Sequence, residues 1–210
     1  MPEAKIGFMG MAGLTFVLSE MSYDRQYIFD VLNHGIFIEV VPMPGTDLAN
    51  AFHVFLEKKM SNPPVFSSVE HIVLLSDGDI SGQEERALNE VIPLLTEAEV
   101  KVTSVGLGSN EGVAIPTLDL DRQCISGQYE RADGKEFYTH LNESPMKTVA
   151  ENTEGRYFHE SQDDELVLYL RDSLQNSTDS MPPQQTQDLR FPFILLLSLS
   201  LFCLFLIKRL

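Results

Sequence analysis

Near the middle of the chain, His71-Ile-Val-Leu-Leu-Ser-Asp-Gly-Asp79 sets four consecutive aliphatic residues directly before a turn. Such an uninterrupted run predicts a strand buried on both faces, the pattern of a parallel sheet. Parallel strands need crossover connections, and the flanking sequence supplies them. A helix is expected at about Gln83–Glu97, disturbed by Pro93, followed by a strand at Val100–Val105 that ends in Gly-Leu-Gly. Upstream, Ile6–Met9 and Leu14–Ser19 are β-prone runs separated by Gly-Met-Ala-Gly, a hairpin pattern. Tyr23–Leu32 places Tyr27, Ile28, Val31 and Leu32 on one helical face, and Asp47–Lys58 sets Leu48, Phe52, Phe55 and Leu56 at helical spacing. Downstream come a short helix at Met146–Glu151, a strand at Arg156–Phe158 and a helix at Asp163–Leu174. Alternating strands and helices imply right-handed crossovers and helices on both sheet faces. The expected class is α/β, doubly wound, with a mostly parallel sheet.

The C-terminal region has a different character. From Phe191 to Ile207 every residue is apolar except Ser198 and Ser200. At 1.5 Å per residue this run spans about 26 Å, at the short end of what crosses a hydrocarbon core. Arg190, Lys208 and Arg209 flank it and can snorkel. The organisation expected is a folded domain over 1–174, a polar linker over 175–190, a transmembrane helix over 191–207 and a basic tail over 208–210. The N-terminal MPEAKIG shows no secretory signal pattern, so Asn142-Glu-Ser and Asn176-Ser-Thr are read as chance matches to a glycosylation acceptor. Fifteen basic residues against 31 acidic ones give a net charge of −16, which excludes a phosphate-backbone binder and leaves no nucleic-acid partner expected. Cys124 and Cys203 cannot build a disulfide framework.

In an open α/β sheet the chemistry sits at the carboxyl ends of the strands. Asp77 follows the aliphatic strand directly, and Asp79 beside it adds a second carboxylate that attracts a hard divalent cation. As a bland alternative, Asp77-Gly78 is only a turn. Upstream, Pro44-Gly-Thr-Asp47 opens a helix, where the Thr46 hydroxyl serves either as a cap or as a magnesium ligand. The five histidines, at 34, 53, 71, 140 and 159, show no metal-ligand spacing, and Gly106-Leu-Gly108 is not a dinucleotide loop. Asp119 and Asp121 read as a solvated loop.

Together these segments resemble a von Willebrand factor type A (VWA) domain, in particular the membrane-anchored members of bacterial aerotolerance (Bat-type) operons. The resemblance runs from Ile6 to about Leu174. It is carried by Gly7-Phe-Met-Gly-Met-Ala-Gly with Phe16-Val-Leu-Ser, by Ser22-Tyr-Asp-Arg-Gln-Tyr-Ile-Phe-Asp-Val-Leu, and by Gly45-Thr-Asp-Leu-Ala-Asn-Ala-Phe. Ile72-Val-Leu-Leu-Ser-Asp-Gly-Asp, Val102-Thr-Ser-Val-Gly-Leu-Gly, Gly134-Lys-Glu-Phe-Tyr-Thr and Thr153-Glu-Gly-Arg-Tyr-Phe follow in order. The resemblance implies a non-enzymatic protein-interaction module with a metal-ion-dependent adhesion site. In that site Mg²⁺ is held by a D-x-S-x-S loop, a threonine and an aspartate. Thr46 and Asp77 match the last two by position, but no Asp-x-Ser-x-Ser occurs anywhere in the chain. The expectation is therefore an incomplete metal site with weak or no Mg²⁺ affinity.

The D-x-S-x-S loop follows the family's first strand, which is central in its sheet. The chain thus reads as an N-terminally truncated member whose sheet lacks one strand, leaving it to close up imperfectly, recruit another chain or fold poorly. The implied partners are the lipid bilayer and another protein, such as other VWA or repeat-containing membrane proteins. The implied location is the bacterial inner membrane with the domain periplasmic. Lys208 and Arg209 favour that orientation only slightly, because Arg171 and Arg190 lie on the domain side. An alternative from another class is a Mg²⁺-dependent phosphotransferase or phosphatase. Ser76-Asp-Gly-Asp-Ile-Ser81 imitates the loop of haloacid-dehalogenase-type enzymes, with Asp77 as nucleophile, Asp79 as acid–base, and Lys135, Asp163 and Asp164 in support. Against it, that loop should follow the first strand of its domain.

Overall fold

A computed structural model describes residues 4–35, 45–119, 124–129, 131–132, 135–136 and 138–178. The chain divides into two units, Met1–Arg171 and Asp172–Leu210. The expected membrane helix, basic tail and nearly all of the linker, with Cys203, lie outside the described residues, as do Asp121 and Gly134. Among the described residues no helix is long and apolar enough to cross a membrane.

The chain opens with an antiparallel hairpin of β1 (Ile6–Met11) and β2 (Thr15–Ser22). Helix α1 (Arg25–Asp30) is capped by Asp24, whose carboxylate accepts from the amides of Gln26 and Tyr27, and it continues into a wider π-type turn over Val31–Gly35. Of the apolar face expected here only Ile28 is buried; Tyr27 and Leu32 are exposed. Helix α2 (Leu48–Met60) buries Leu48, Ala49, Phe52, Phe55 and Leu56 along one stripe. Strand β3 (His71–Ser76) leads to α3 (Gly82–Glu97), which starts with a Ser81–Glu84 capping box and runs through Pro93. The expected disturbance at Pro93 does not end the helix. Val91, Ile92 and Leu95 are buried around it, and their burial at about 1.5–3 kcal/mol each outweighs an interior proline's cost of about 3 kcal/mol.

Strand β4 (Lys101–Gly106) is followed by an excursion of short antiparallel pairs. These strands are β5 (Val113–Ala114), β6 (Pro116–Asp119), β7 (Cys124–Tyr129), β8 (Arg131–Ala132), β9 (Lys135–Glu136) and β10 (Tyr138–Thr139). Strand β5 pairs with β10, β6 with β7, and β8 with β9. Asp119, expected in a loop, is therefore a strand residue opposite Cys124. Helix α4 (Glu143–Asn152), β11 (Tyr157–His159) and α5 (Asp163–Thr178) complete the described chain, so helix continues into the first residues of the segment read as a tether.

Strands β3, β4 and β11 form a parallel sheet in the order β11-β4-β3. One face carries Ile72, Leu74 and Val102 against the buried stripes of α2, α3 and α4. On the opposite face His71 and Phe158 pack against Tyr169 of α5. Helices thus cover both faces of a mixed α/β fold, but unevenly. Strand β4 is central and buried on both sides, whereas among the described residues β3 stands at an edge, with Val73 and Leu75 43% and 57% exposed. The aliphatic run that predicts two-sided burial is buried on one face only. Neighbours decide burial, and among the described residues β3 has a neighbour on one side.

Candidate functional site

The carboxyl ends of β3 and β4 meet the start of α4 and the end of the antiparallel excursion. Asp77 leaves β3 there, as expected for this sheet type. Its carbonyl accepts from the Asn142 amide at 2.8 Å, and the Leu107 amide donates to the Ser76 carbonyl at 2.9 Å. The Ser76 hydroxyl accepts from the Gly78 amide at 3.0 Å. Gly78 has φ +65, and a Cβ there would lie 2.2 Å from the Asn142 carbonyl oxygen. The turn is therefore clamped against α4 by backbone contact that only glycine permits.

Both oxygens of the Asp77 carboxylate are engaged. Oδ1 accepts from the Asp79 amide at 3.2 Å, and Oδ2 accepts from the Thr139 hydroxyl at 2.8 Å. Thr139 lies 62 positions away at the end of β10, and nothing in its local sequence marks it as a partner of Asp77. Asp79 is exposed, and its carboxylate has no hydrogen-bond or ion-pair partner among the described residues.

Beside the turn, β11 brings Tyr157 to the end of β4. Gly106 makes room for it: a Cβ at that position would lie 2.3 Å from the Tyr157 hydroxyl. That hydroxyl is buried without a hydrogen-bond partner, and burial together with the nearby Glu143 carboxylate pushes its pKa up to about 12. Lys147 stacks its ammonium 5.1 Å from the Tyr157 ring centre and reaches Glu143 at 2.6 Å, which holds the Glu143 carboxyl below its ordinary range. Tyr157 lies in the Thr153-Glu-Gly-Arg-Tyr-Phe motif, but neither it nor Glu143 or Lys147 was expected at the site; each reaches it only through tertiary packing.

The residues expected to act together are only partly assembled. Thr46 precedes α2, but the helix cap is Asp47, whose carboxylate accepts from the Asn50 amide at 2.9 Å. Among the described residues no hydrogen bond joins Thr46 to Asp77 or Asp79. Asp163 and Asp164 open α5, where Asp163 accepts from the Asp164 amide, and neither they nor Lys135 contact Asp77 through a hydrogen bond or ion pair. Mg²⁺ takes six oxygen ligands in octahedral geometry, usually one or two carboxylates with several waters. Among the described residues no group of three or more His, Cys, Asp or Glu side chains is placed to hold a metal ion. In this arrangement the Asp77 oxygens are turned to Thr139 and the Asp79 amide.

No family model matches the sequence, and no curated protein matches it either. Solved structures do share its fold. The conserved hypothetical protein BatB from Bacteroides thetaiotaomicron aligns over 84% of this chain and 82% of its own, with TM-score 0.66 and 20% identity. An aerotolerance-related membrane protein from Bacteroides fragilis aligns over 84% of this chain and 81% of its own, with TM-score 0.66 and 20% identity. At that identity the likeness is one of fold.

Proposed function

We propose that the chain is a membrane-anchored, VWA-type protein-interaction module of the Bat kind, non-enzymatic, held at a bacterial inner membrane with the folded domain periplasmic. What supports the reading is the agreement of two independent lines. Ordered motifs from Gly7 to Phe158 resemble the VWA pattern, and the fold is shared with BatB and with an aerotolerance-related membrane protein. The single observation that carries the binding role is the placement of Asp77. Its carboxylate stands at the carboxyl end of a parallel strand, where such sheets take their ligands, on a turn clamped by Gly78 and Asn142. A turn held this firmly suits a fixed binding surface better than turnover.

The pieces a hydrolase would need are otherwise engaged. Asp77 Oδ2 is bonded to Thr139, so an attacking oxygen would first have to break that bond. The His159–Ser161 contact at 2.9 Å is a local cap, since the same Nδ1 accepts from the Ser161 amide. In this chain Thr46 and Asp77 are the remnants of a metal site, and the module works without a resident cation.

Titrating Mg²⁺ into the purified full-length chain tests the metal side. The expected result is no binding at micromolar concentrations, and a micromolar dissociation constant abolished by Asp77→Ala would overturn it. Incubation with a generic phosphate ester and Mg²⁺ tests the enzymatic alternative. Hydrolysis that disappears in Asp77→Asn would replace the binding-module reading with the phosphotransferase one. Co-purification with a second VWA-type membrane protein of the same envelope is the positive test; a reconstituted mixture that never forms a complex would count against an interaction role.

A further inference from the structure

We propose that Tyr129, Tyr138 and Glu136 together receive an arginine side chain of a partner protein. The inference extends the interaction role proposed above to a second surface, and it does not use the Asp77 carboxylate.

Strand register brings the two tyrosines together. Strand β10 returns along β5 with Tyr138 opposite Ala114 and Thr139 opposite Val113, and β7 returns along β6 with Tyr129 opposite Pro116. The β8–β9 hairpin is inserted between these two returning pieces. Ala114 and Pro116 are two residues apart and share a face, and cross-strand partners share a face as well. Tyr129 and Tyr138 therefore stand on one side of the ribbon, about 7 Å apart along it. Thr139 fixes which side that is. Its hydroxyl donates to Asp77 at 2.8 Å, so Tyr138 beside it points away from the Asp77 turn. The exposures agree, at 49% for Tyr129 and 48% for Tyr138.

Glu136 supplies the charge. The Tyr138 hydroxyl donates to its carboxylate at 3.2 Å, which holds that carboxylate beside the ring. The same bond and charge push the Tyr138 hydroxyl above its ordinary pKa, and Tyr129 adds to the shift, as a close neighbour does. Lys135, next to Glu136 in β9, takes the opposite face by strand alternation. Among the described residues neither tyrosine ring stacks on another aromatic ring, and no cation of the chain lies over either one. A spacing of about 7 Å is twice the contact distance of about 3.5 Å, so one planar group fits between the rings. A guanidinium is planar, is attracted to aromatic faces, and offers a fork of N–H donors to the Glu136 carboxylate. An ammonium lacks the plane, and a sugar ring is too thick. The formal net charge of −16 draws basic partners toward the chain as a whole.

Amide chemical shifts of the full-length chain in detergent micelles test this, at about 0.15 M salt to screen long-range attraction. The probe is the blocked peptide acetyl-Gly-Arg-Gly-Arg-Gly-amide, compared with the same peptide carrying citrulline or lysine at both arginines. The arginine peptide should shift Tyr129, Glu136 and Tyr138, and should bind more tightly than either control. Tyr138→Leu and Glu136→Gln should each weaken its binding about threefold or more. Tyr138→Phe keeps the ring and releases the Glu136 carboxylate, so it should bind at least as well as the parent chain. The proposal is overturned by shifts spread evenly over the acidic surface or by equal binding of the citrulline or lysine peptide. A loss in Tyr138→Phe as large as that in Tyr138→Leu would also sink it. So would chitotriose shifting these three amides while the arginine peptide does not, which assigns the surface to a neutral sugar.

Discussion

His71 shows how a single side chain acquires its role from the strand beside it. Its Nε2 lies 2.7 Å from the Thr103 hydroxyl, which is fully buried, and its ring meets Tyr169 edge-on. Burial, and then the Lys101 charge, holds its pKa below the ordinary value. A histidine whose folded pKa is depressed binds its proton more readily in the unfolded chain. Its contribution to stability is therefore fully present above about pH 6.5 and is lost as the pH falls below that. Thermal unfolding measured from pH 7.5 to 5 should show a smaller acid-side loss in His71→Asn than in the parent chain; identical slopes would exclude His71 as a source of the pH dependence. Gly78 is the second residue with a legible price. Gly78→Ala must place a Cβ against the Asn142 carbonyl at φ +65, and should destabilise by about 1–3 kcal/mol in a denaturant titration. A cost within error of zero would mean the Asp77 turn is free to move away from α4. Asp77-Gly78 is legible in the sequence as a turn after a strand, but the reason for the glycine is a carbonyl far along the chain.

At the scale of elements, periodicity located the helices and strands, and their neighbours decided what they bury. The stripe Leu48, Phe52, Phe55 and Leu56 reads as a helix face and is one. The run His71–Ser76 reads as a two-sided strand, yet that role belongs to Lys101–Gly106, whose Thr103 and Ser104 are fully buried. Thr103 meets His71, and Ser104 donates to the Met146 carbonyl at 2.7 Å, so a mildly polar strand fills the centre because its hydroxyls have partners. Helix α3 passes through Pro93, which is exposed and leaves the Asn89 carbonyl without the usual amide four residues on. Pro93→Ala should restore that bond and raise stability by about 1–2 kcal/mol, seen as a higher Tm. A lower Tm would mean that the proline limits the unfolded chain more than it harms the helix.

For the whole molecule, the excursion between β4 and α4 is tied to the sheet at the site. Thr139 at its last strand donates to Asp77, and the Leu141 amide donates to the Ser109 carbonyl at 3.1 Å. Thr139→Val removes the side-chain tie alone. It should speed amide exchange in β5 and β10 while leaving the global unfolding midpoint nearly unchanged, because little of the buried core among the described residues lies in the excursion. A large fall in the midpoint would show that the excursion folds as one unit with the sheet. The same reasoning bears on the site: freeing Oδ2 of Asp77 makes its carboxylate available, so any cation affinity should rise in Thr139→Val and not fall.

What the sequence by itself determined is local. Spacings of two and of three to four set the strand and helix positions, their alternation set the α/β class, and the end of an aliphatic strand located Asp77. What only the tertiary structure decided is which described strand stands at the centre, that Val73 and Leu75 stay exposed, and that Asp77 faces Thr139 rather than Thr46. The physical reason is that strand burial and carboxylate partners depend on segments distant in the chain. Periodicity reports the face a residue occupies, and the sheet's strand order reports whether anything covers it.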